Sequence, residues 1–183
     1  MSLLDKVAAA VAPVVSDDTR AKAHADARAM SRGDDWLSQV LGHHEQIDAL
    51  FARAKAATGV ADRKAALEEL GLVLTGHSIA EEAVLYPALV KADYQGKATI
   101  AYTQQATAKT EMFLLEGLDP TSEEWREKLE HIVSAVQQHV YEEESSWFAK
   151  LVESDDVDQA MLTEKYAEQF DRYMGSNKQA LFA

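Results

Sequence analysis

GHSIAEEAVLYP, residues 76–87, sets His77 and Glu81 one helical turn apart on a face that its apolar neighbours mark as core. A second copy of this spacing, His139 and Glu143, stands in QHVYEEESSWF, residues 138–148. Ionisable pairs inside apolar stripes need partners, so the rest of the chain is read as the scaffold that brings the two copies together.

Working outward, Leu67, Leu70 and Leu74 share a face with His77, Glu81 and Val84, which predicts a helix over residues 61–92 that Pro87 kinks or ends. Around the second copy, Trp125, Leu129, Ile132, Val136, His139, Glu143, Trp147 and Leu151 trace another face. Thr121 and Glu124 form a capping box for that helix, and Ser154-Asp155-Asp156 closes it. Between the two, a helix over 96–117 turns Ala101, Gln105, Ala108, Met112 and Leu115 inward. Before them, a helix capped by Asp34 or Asp35 runs to Thr58 with Trp36, Val40, His44, Ile47 and Phe51 on one face.

The ends of the chain add to this core. Residues 1–16 read as a short helix or frayed lead-in, Ser16-Asp17-Asp18 caps a helix over 17–31, and a last helix over 157–174 precedes a polar tail. Four long helices with short connections predict an all-α protein, an antiparallel up-down four-helix bundle. The expected organisation is a single domain over 1–183, with a core at 34–153, an N-terminal extension at 1–33 and a C-terminal helix and tail at 154–183.

Composition narrows the function. A net charge of −13 argues against nucleic-acid or anionic-membrane partners and suits a protein that attracts cations. The absence of cysteine excludes disulfides, iron–sulfur clusters and thiolate metal sites. The opening apolar run is short, broken by Pro13 and preceded by Asp5 and Lys6, so it does not read as a signal peptide, and a cytoplasmic location is expected. No run approaches the roughly 18 to 20 apolar residues of a membrane span.

An ionised carboxylate in an apolar stripe costs several kcal/mol unless it protonates, finds a partner or binds a cation. Two such carboxylates with several imidazoles, and no matching inward Arg or Lys, favour the cation. Residues i and i+4 lie about 6 Å apart on one helix face, within reach of one metal or a close pair. Imidazole with carboxylate suits iron, manganese or zinc, and bundle cores are where di-iron carboxylate sites are built. His44 precedes His77 by 33 residues, and a step of 34 back from His139 reaches the inward Gln105. The first half of the chain thus offers His44, His77 and Glu81, and the second Gln105, His139 and Glu143.

LGHHEQIDALF (41–51), LTGHSIAEEAVLYPAL (74–89), KTEMFLLEGLDPTSEEW (109–125) and VQQHVYEEESSWFAKL (136–151) together resemble a hemerythrin-like domain with the HHE cation-binding pattern. The resemblance implies a bundle around a non-haem, oxo-bridged di-iron centre, with manganese and zinc ranking behind iron. It makes His44, His77 and His139 terminal ligands and Glu81 and Glu143 bridges. Members usually carry a histidine on the third helix, where this chain has Gln105. That glutamine either ligates through its amide oxygen, leaves a place for water, dioxygen or peroxide, or weakens the second metal.

Three histidines with two glutamates favour an oxidised metal pair, so the expected reactant is dioxygen, peroxide or another small diatomic ligand, reduced or sensed rather than carried unchanged. No residue is assigned a catalytic role. The alternative function is a non-catalytic metal-binding module for iron storage or signalling, and behind it stands a purely structural bundle. His43 fits its helix face almost as well as His44. His24 reads as exposed, with the alternative that its helix folds over the bundle and supplies the missing ligand. His131, about 12 Å along the helix from His139 at 1.5 Å per residue, reads as a surface residue. Tyr102 ranks ahead of Tyr86 and Tyr141 as a functional tyrosine, although all three are more simply core or rim aromatics. Glu82, Glu142 and Glu144 read as solvated or as outer neighbours of the ligands.

Overall fold

The computed structural model describes residues 15–181, with side chains through residue 177; of the expected lead-in over 1–16, residues 1–14 lie outside the described residues. In chain order the helices are α1 (Asp17–Met30), α2 (Trp36–Ala56), α3 (Val60–Ala80), α4 (Tyr86–Lys91), α5 (Gln95–Glu116), α6 (Glu123–Glu142), α7 (Phe148–Glu153) and α8 (Gln159–Leu181). Two single π turns, Glu81–Leu85 and Glu143–Trp147, join α3 to α4 and α6 to α7. There is no strand among the described residues. The protein is an antiparallel up-down four-helix bundle of α2, α3–α4, α5 and α6–α7, flanked by α1 and α8.

Helix starts follow local chemistry. Asp35 caps α2 by accepting from Ser38 N at 2.8 Å, and Ser16 Oγ caps α1 by accepting from Thr19 N at 3.3 Å. The predicted capping box does not form. Asp119 Oδ1 captures both the N–H and the hydroxyl of Thr121, so the cap passes to Ser122, whose Oγ accepts from Trp125 N at 3.1 Å. The last helix continues to Leu181 where a polar tail was expected, because no helix breaker follows Met174 except Gly175, which a helix tolerates.

The flanking helices are tied into the core. α8 lies along α3, and Gly76 makes this possible: a Cβ there would meet Tyr173 Cδ1 at 3.1 Å and Phe170 Cε2 at 3.3 Å. Trp36 Nε1 donates to Gln159 Oε1 at 2.8 Å, fastening α8 to α2 as well. On the other side, α1 buries Ala23 and Ala27 against the bundle.

The interior is layered. One apolar cluster gathers Leu41, Ala80, Leu85, Ala101, Trp147 and Phe148, and another gathers Ile47, Leu74, Met112, Ile132 and Val136. Along each bundle helix a polar residue sits where one cluster gives way to the other: His44 between Leu41 and Ile47, His77 between Leu74 and Ala80, Gln105 after Ala101, and His139 between Val136 and Trp147. Each large apolar side chain in these clusters contributes about 1.5–3 kcal/mol of burial, which holds the polar layer in a water-poor slot.

Candidate metal centre

Both π turns begin at the glutamate of a His-x-x-x-Glu pair. In the first, Tyr86 N–H bonds to the carbonyl of Glu81, one residue further back than in an α-helix, and Pro87 then has no N–H with which to resume the ordinary ladder. In the second, Phe148 N–H bonds to the carbonyl of Glu143. The inserted residue turns the following side chains inward, and single π turns of this kind recur at functional sites. The first π turn brings Tyr86 into the polar layer.

His44, His77, Glu81 and Glu143 offer ligand atoms that all lie within 4.8 Å of one another, and all four residues are buried. His44 Nε2 stands 3.4 Å from Glu143 Oε2 and 4.0 Å from Glu81 Oε1. His77 Nε2 lies 3.2 Å from Glu81 Oε2, and His139 Nε2 lies 3.3 Å from Glu143 Oε1. His139 is one step removed because its Nε2 meets the Tyr86 hydroxyl at 3.1 Å. Gln105, buried on α5, donates from Nε2 to both Glu81 Oε2 and the Tyr86 hydroxyl.

Four buried atoms of this layer have no hydrogen-bond partner: His44 Nε2, Glu81 Oε1, Gln105 Oε1 and Glu143 Oε2. An orphaned buried polar atom costs about 1–3 kcal/mol, and two facing carboxylates add repulsion. Lone pairs from imidazole, carboxylate and amide oxygen form a donor set that fits an iron, manganese or zinc ion. The residues present therefore suit the metal that the sequence motif implies.

The outer nitrogens are held too. Nδ1 of His44 donates to Glu144 Oε1 at 2.8 Å, and Nδ1 of His139 donates to Gln104 Oε1 at 2.8 Å. Nδ1 of His77 lies 3.2 Å from the Tyr166 hydroxyl on α8. Each ring is thereby turned with Nε2 toward the centre, the arrangement expected of imidazoles that serve a metal.

Electrostatics without metal are strained. Burial opposes charge on His44, but the Glu143 and Glu144 carboxylates outweigh it and push its pKa up to about 10. Burial and then the neighbouring His44 charge hold His77 neutral, well below the ordinary histidine range. Burial and the Glu143 charge raise Glu81 well above the usual carboxylate value, whereas Glu143, despite burial, is drawn down by His139 and His44. The pair is split, with one carboxyl that keeps its proton and one that gives it up.

The family match covers the same stretch of chain. The Hemerythrin HHE cation binding domain family matches residues 37–151. This chain belongs to that family. A solved structure of a hemerythrin HHE cation binding domain-containing protein from Mycobacterium kansasii superposes with a TM-score of 0.70 at 21% identity, covering 81% of this chain and 93% of that one. A curated relative from Nostoc sp. (strain PCC 7120 / SAG 25.82 / UTEX 2576), named a DNA nickase, is 27% identical over 130 residues. The match takes in 69% of this chain, which spans about a third, 35%, of that relative's length.

As an HHE domain the chain has a lopsided centre. On the Gln105 side the glutamine shares its place with Tyr86, whose hydroxyl touches Glu81, Glu143 and His139. The ranking of the tyrosines is therefore corrected: Tyr102 donates to the carbonyl of Glu82 at the surface, and Tyr86 is the one inside. His43 points away from the cluster, stacking on Phe170 at 3.8 Å and meeting the Tyr166 hydroxyl at 2.9 Å. His24 does fold over the bundle, but on the His44 side, where its Nδ1 donates to Glu144 at 2.9 Å. His131 is exposed. Glu82 pairs with Lys109 at 2.6 Å, and Glu144 is buried rather than solvated. Tyr86, Glu144 and Tyr166 are the site residues that helical periodicity did not single out.

Proposed function

We propose that this HHE domain holds two iron ions and reacts with dioxygen or peroxide, as a catalyst of peroxide turnover or as a sensor. His44, His77 and His139 would be the terminal ligands, Glu81 and Glu143 the shared carboxylates, and Gln105 with Tyr86 would face the remaining place. The observation that carries this reading is the set of unpartnered buried atoms of His44, Glu81, Gln105 and Glu143.

When bound, iron supplies the electron exchange that dioxygen or peroxide chemistry requires. The chain supplies the rest. Glu144, Gln104 and Tyr166 aim the imidazoles, and the two apolar clusters keep water away from the polar layer. The Tyr86 hydroxyl oxygen lies 3.1 Å from Glu81 Oε2 and 3.0 Å from Glu143 Oε1, and its proton can be donated to an oxygen atom gaining charge nearby. A cavity of about 20 Å³, lined by His77, Ser78, Gln104, Gln105, His139 and apolar residues of α3, α5 and α6, has room for one molecule of water size.

The nickase relative does not bring DNA to this reading, since the matched stretch is a third of that protein and a chain of net charge −13 is repelled by phosphate. No helix among the described residues is long and apolar enough to cross a membrane. A storage or signalling module without turnover is the second reading, favoured by Gln105 standing where the family usually has a stronger ligand. Protein expressed in iron-rich medium is expected to carry close to two irons per chain, absorb in the near ultraviolet and consume added peroxide catalytically. Iron-free, colourless protein would overturn the metal reading, and iron-loaded protein inert to peroxide and dioxygen would favour storage.

A further inference from the structure

We propose that α1 is a working part of the centre and that His24 is a positioning residue, fixing His44 through Glu144. This rests on the metal-site reading above and assigns a role to a helix outside the matched family stretch, residues 37–151.

One oxygen carries the whole connection. Glu144 Oε1 accepts from His44 Nδ1 at 2.8 Å and from His24 Nδ1 at 2.9 Å, and among the described residues these rings are its hydrogen-bond partners. His24 is fixed from the other side: its Nε2 lies 3.0 Å from Glu45 Oε1, which Arg28 also grips. The chain of contacts therefore runs from the surface, through α1, to the ring whose unpartnered Nε2 faces Glu143 and Glu81.

The clamp has work to do because an alternative lies beside it. A cavity of about 390 Å³ opens between α1 and the bundle, and Arg20, His24, His44, Glu45, Tyr141 and Glu144 line it. A carboxylate released by His24 can turn into that cavity and be hydrated. His44 then loses its Nδ1 acceptor, and its ring is free to rotate Nε2 away from the centre. Outer partners of this kind typically change metal affinity by about 10–100-fold.

The test compares His24→Leu with His24→Asn, whose amide nitrogen falls where Nδ1 stood, and with Arg20→Ala, which removes the α1 contact to Asp48 and leaves His24, Glu45 and Glu144 in place. Two readouts are taken on folded protein of wild-type helix content: the rate at which a chelator strips iron, and the His44 Nδ1–H proton resonance of the zinc-loaded form. His24→Leu is expected to lose iron about 10–100-fold faster and to lose the resonance to solvent exchange. His24→Asn is expected to restore both, and Arg20→Ala to stay close to wild type. Glu144→Ala, which leaves α1 in place, is expected to match His24→Leu and carries the test if that variant does not fold. Unchanged iron release with an intact resonance in His24→Leu or Glu144→Ala overturns the proposal, as does equal damage from Arg20→Ala. Wild-type protein that takes up neither metal sinks the metal-site reading itself, so the two failures are told apart.

Discussion

Tyr86 follows Glu81 by five residues, yet its hydroxyl lies 3.1 Å from Oε2 of that carboxylate. In an α-helix the two side chains would point about 140° apart, at about 100° per residue. The π turn at Glu81–Leu85 closes this angle. One hydroxyl proton cannot serve Glu81 and Glu143 together, so Tyr86 couples the two carboxylates that would repel each other. Tyr86→Phe is expected to destabilise the metal-free protein by about 1–3 kcal/mol, the cost of orphaned buried acceptors. Iron uptake should persist and peroxide consumption should fall. Denaturant unfolding of the metal-free form checks the first point, and an unchanged midpoint would show that the hydroxyl is not the coupler.

The same π turns explain which parts of the centre were legible in the sequence. His44, His77, Gln105 and His139 lie within α-helical segments, where steps of three and four residues report the inward face directly. Glu81 and Glu143 open the π turns and keep their place in that pattern. Beyond them the angular count fails, which hides Tyr86. Glu144 stood open between a solvated residue and an outer neighbour of the ligands, and packing decides it: it sits beside Glu143 on a side that becomes interior only because α1 covers it. Tyr166 was invisible because nothing in the sequence of α8 says which helix it packs against. That choice depends on the bare backbone at Gly76, a residue whose significance appears only once α8 is in place.

Metal binding should release protons. Without metal, His44 is held up to about 10, so at pH 7 it carries a proton that ligation must displace, and burial biases Glu81 toward holding one as well. Loading is expected to release at least the His44 proton and to tighten as pH rises. The metal-free fold should behave in the opposite sense. A raised His44 gives stability that is full below its unfolded value of 6.5 and is lost as pH climbs through about 10. A raised Glu81 costs stability above 4.5, where the unfolded chain would ionise. The two effects add, so the metal-free protein weakens from neutral to alkaline pH. Calorimetry in buffers of different ionisation enthalpy, together with unfolding at pH 7 and 9, measures both; buffer-independent heats would contradict the protonation pattern.

Glu81→Gln should move metal binding and metal-free stability in different directions. The amide fills the same space and keeps one oxygen acceptor, but unlike the carboxyl it has no ionisation in the unfolded chain for folding to suppress. The stability cost that the raised Glu81 imposes above pH 4.5 is absent from the variant. Metal content is expected to drop below one ion per chain while helix content is retained and the metal-free melting temperature holds or rises. A melting temperature several degrees lower would mark Glu81 as a structural residue first.

Gly76→Val tests how α8 is seated. The new side chain would press on Tyr173, Phe170 and Met174, where even a Cβ arrives at 3.1–3.4 Å. Overpacking of this kind costs about 1–3 kcal/mol. α8 should lift, taking Tyr166 away from His77 Nδ1. Hydrogen exchange is expected to speed up across α8 while α5 and α6 stay protected. Uniform acceleration would instead mean that the whole bundle unfolds together.

Gln105→His puts the family's usual ligand type back on α5. Gln105 now gives its amide protons to Glu81 and Tyr86 and leaves Oε1 without a partner. A neutral imidazole there offers a stronger lone pair to a second metal and crowds the 20 Å³ cavity that this residue lines. Retention of the second iron should rise and peroxide consumption should slow, because the open place is filled from the protein side. Iron stoichiometry after dialysis against chelator and the rate of peroxide loss are read on the same preparation. Tighter iron with undiminished turnover would show that the reactant approaches from elsewhere, and the cavity beside His44, under α1, would be the place to look.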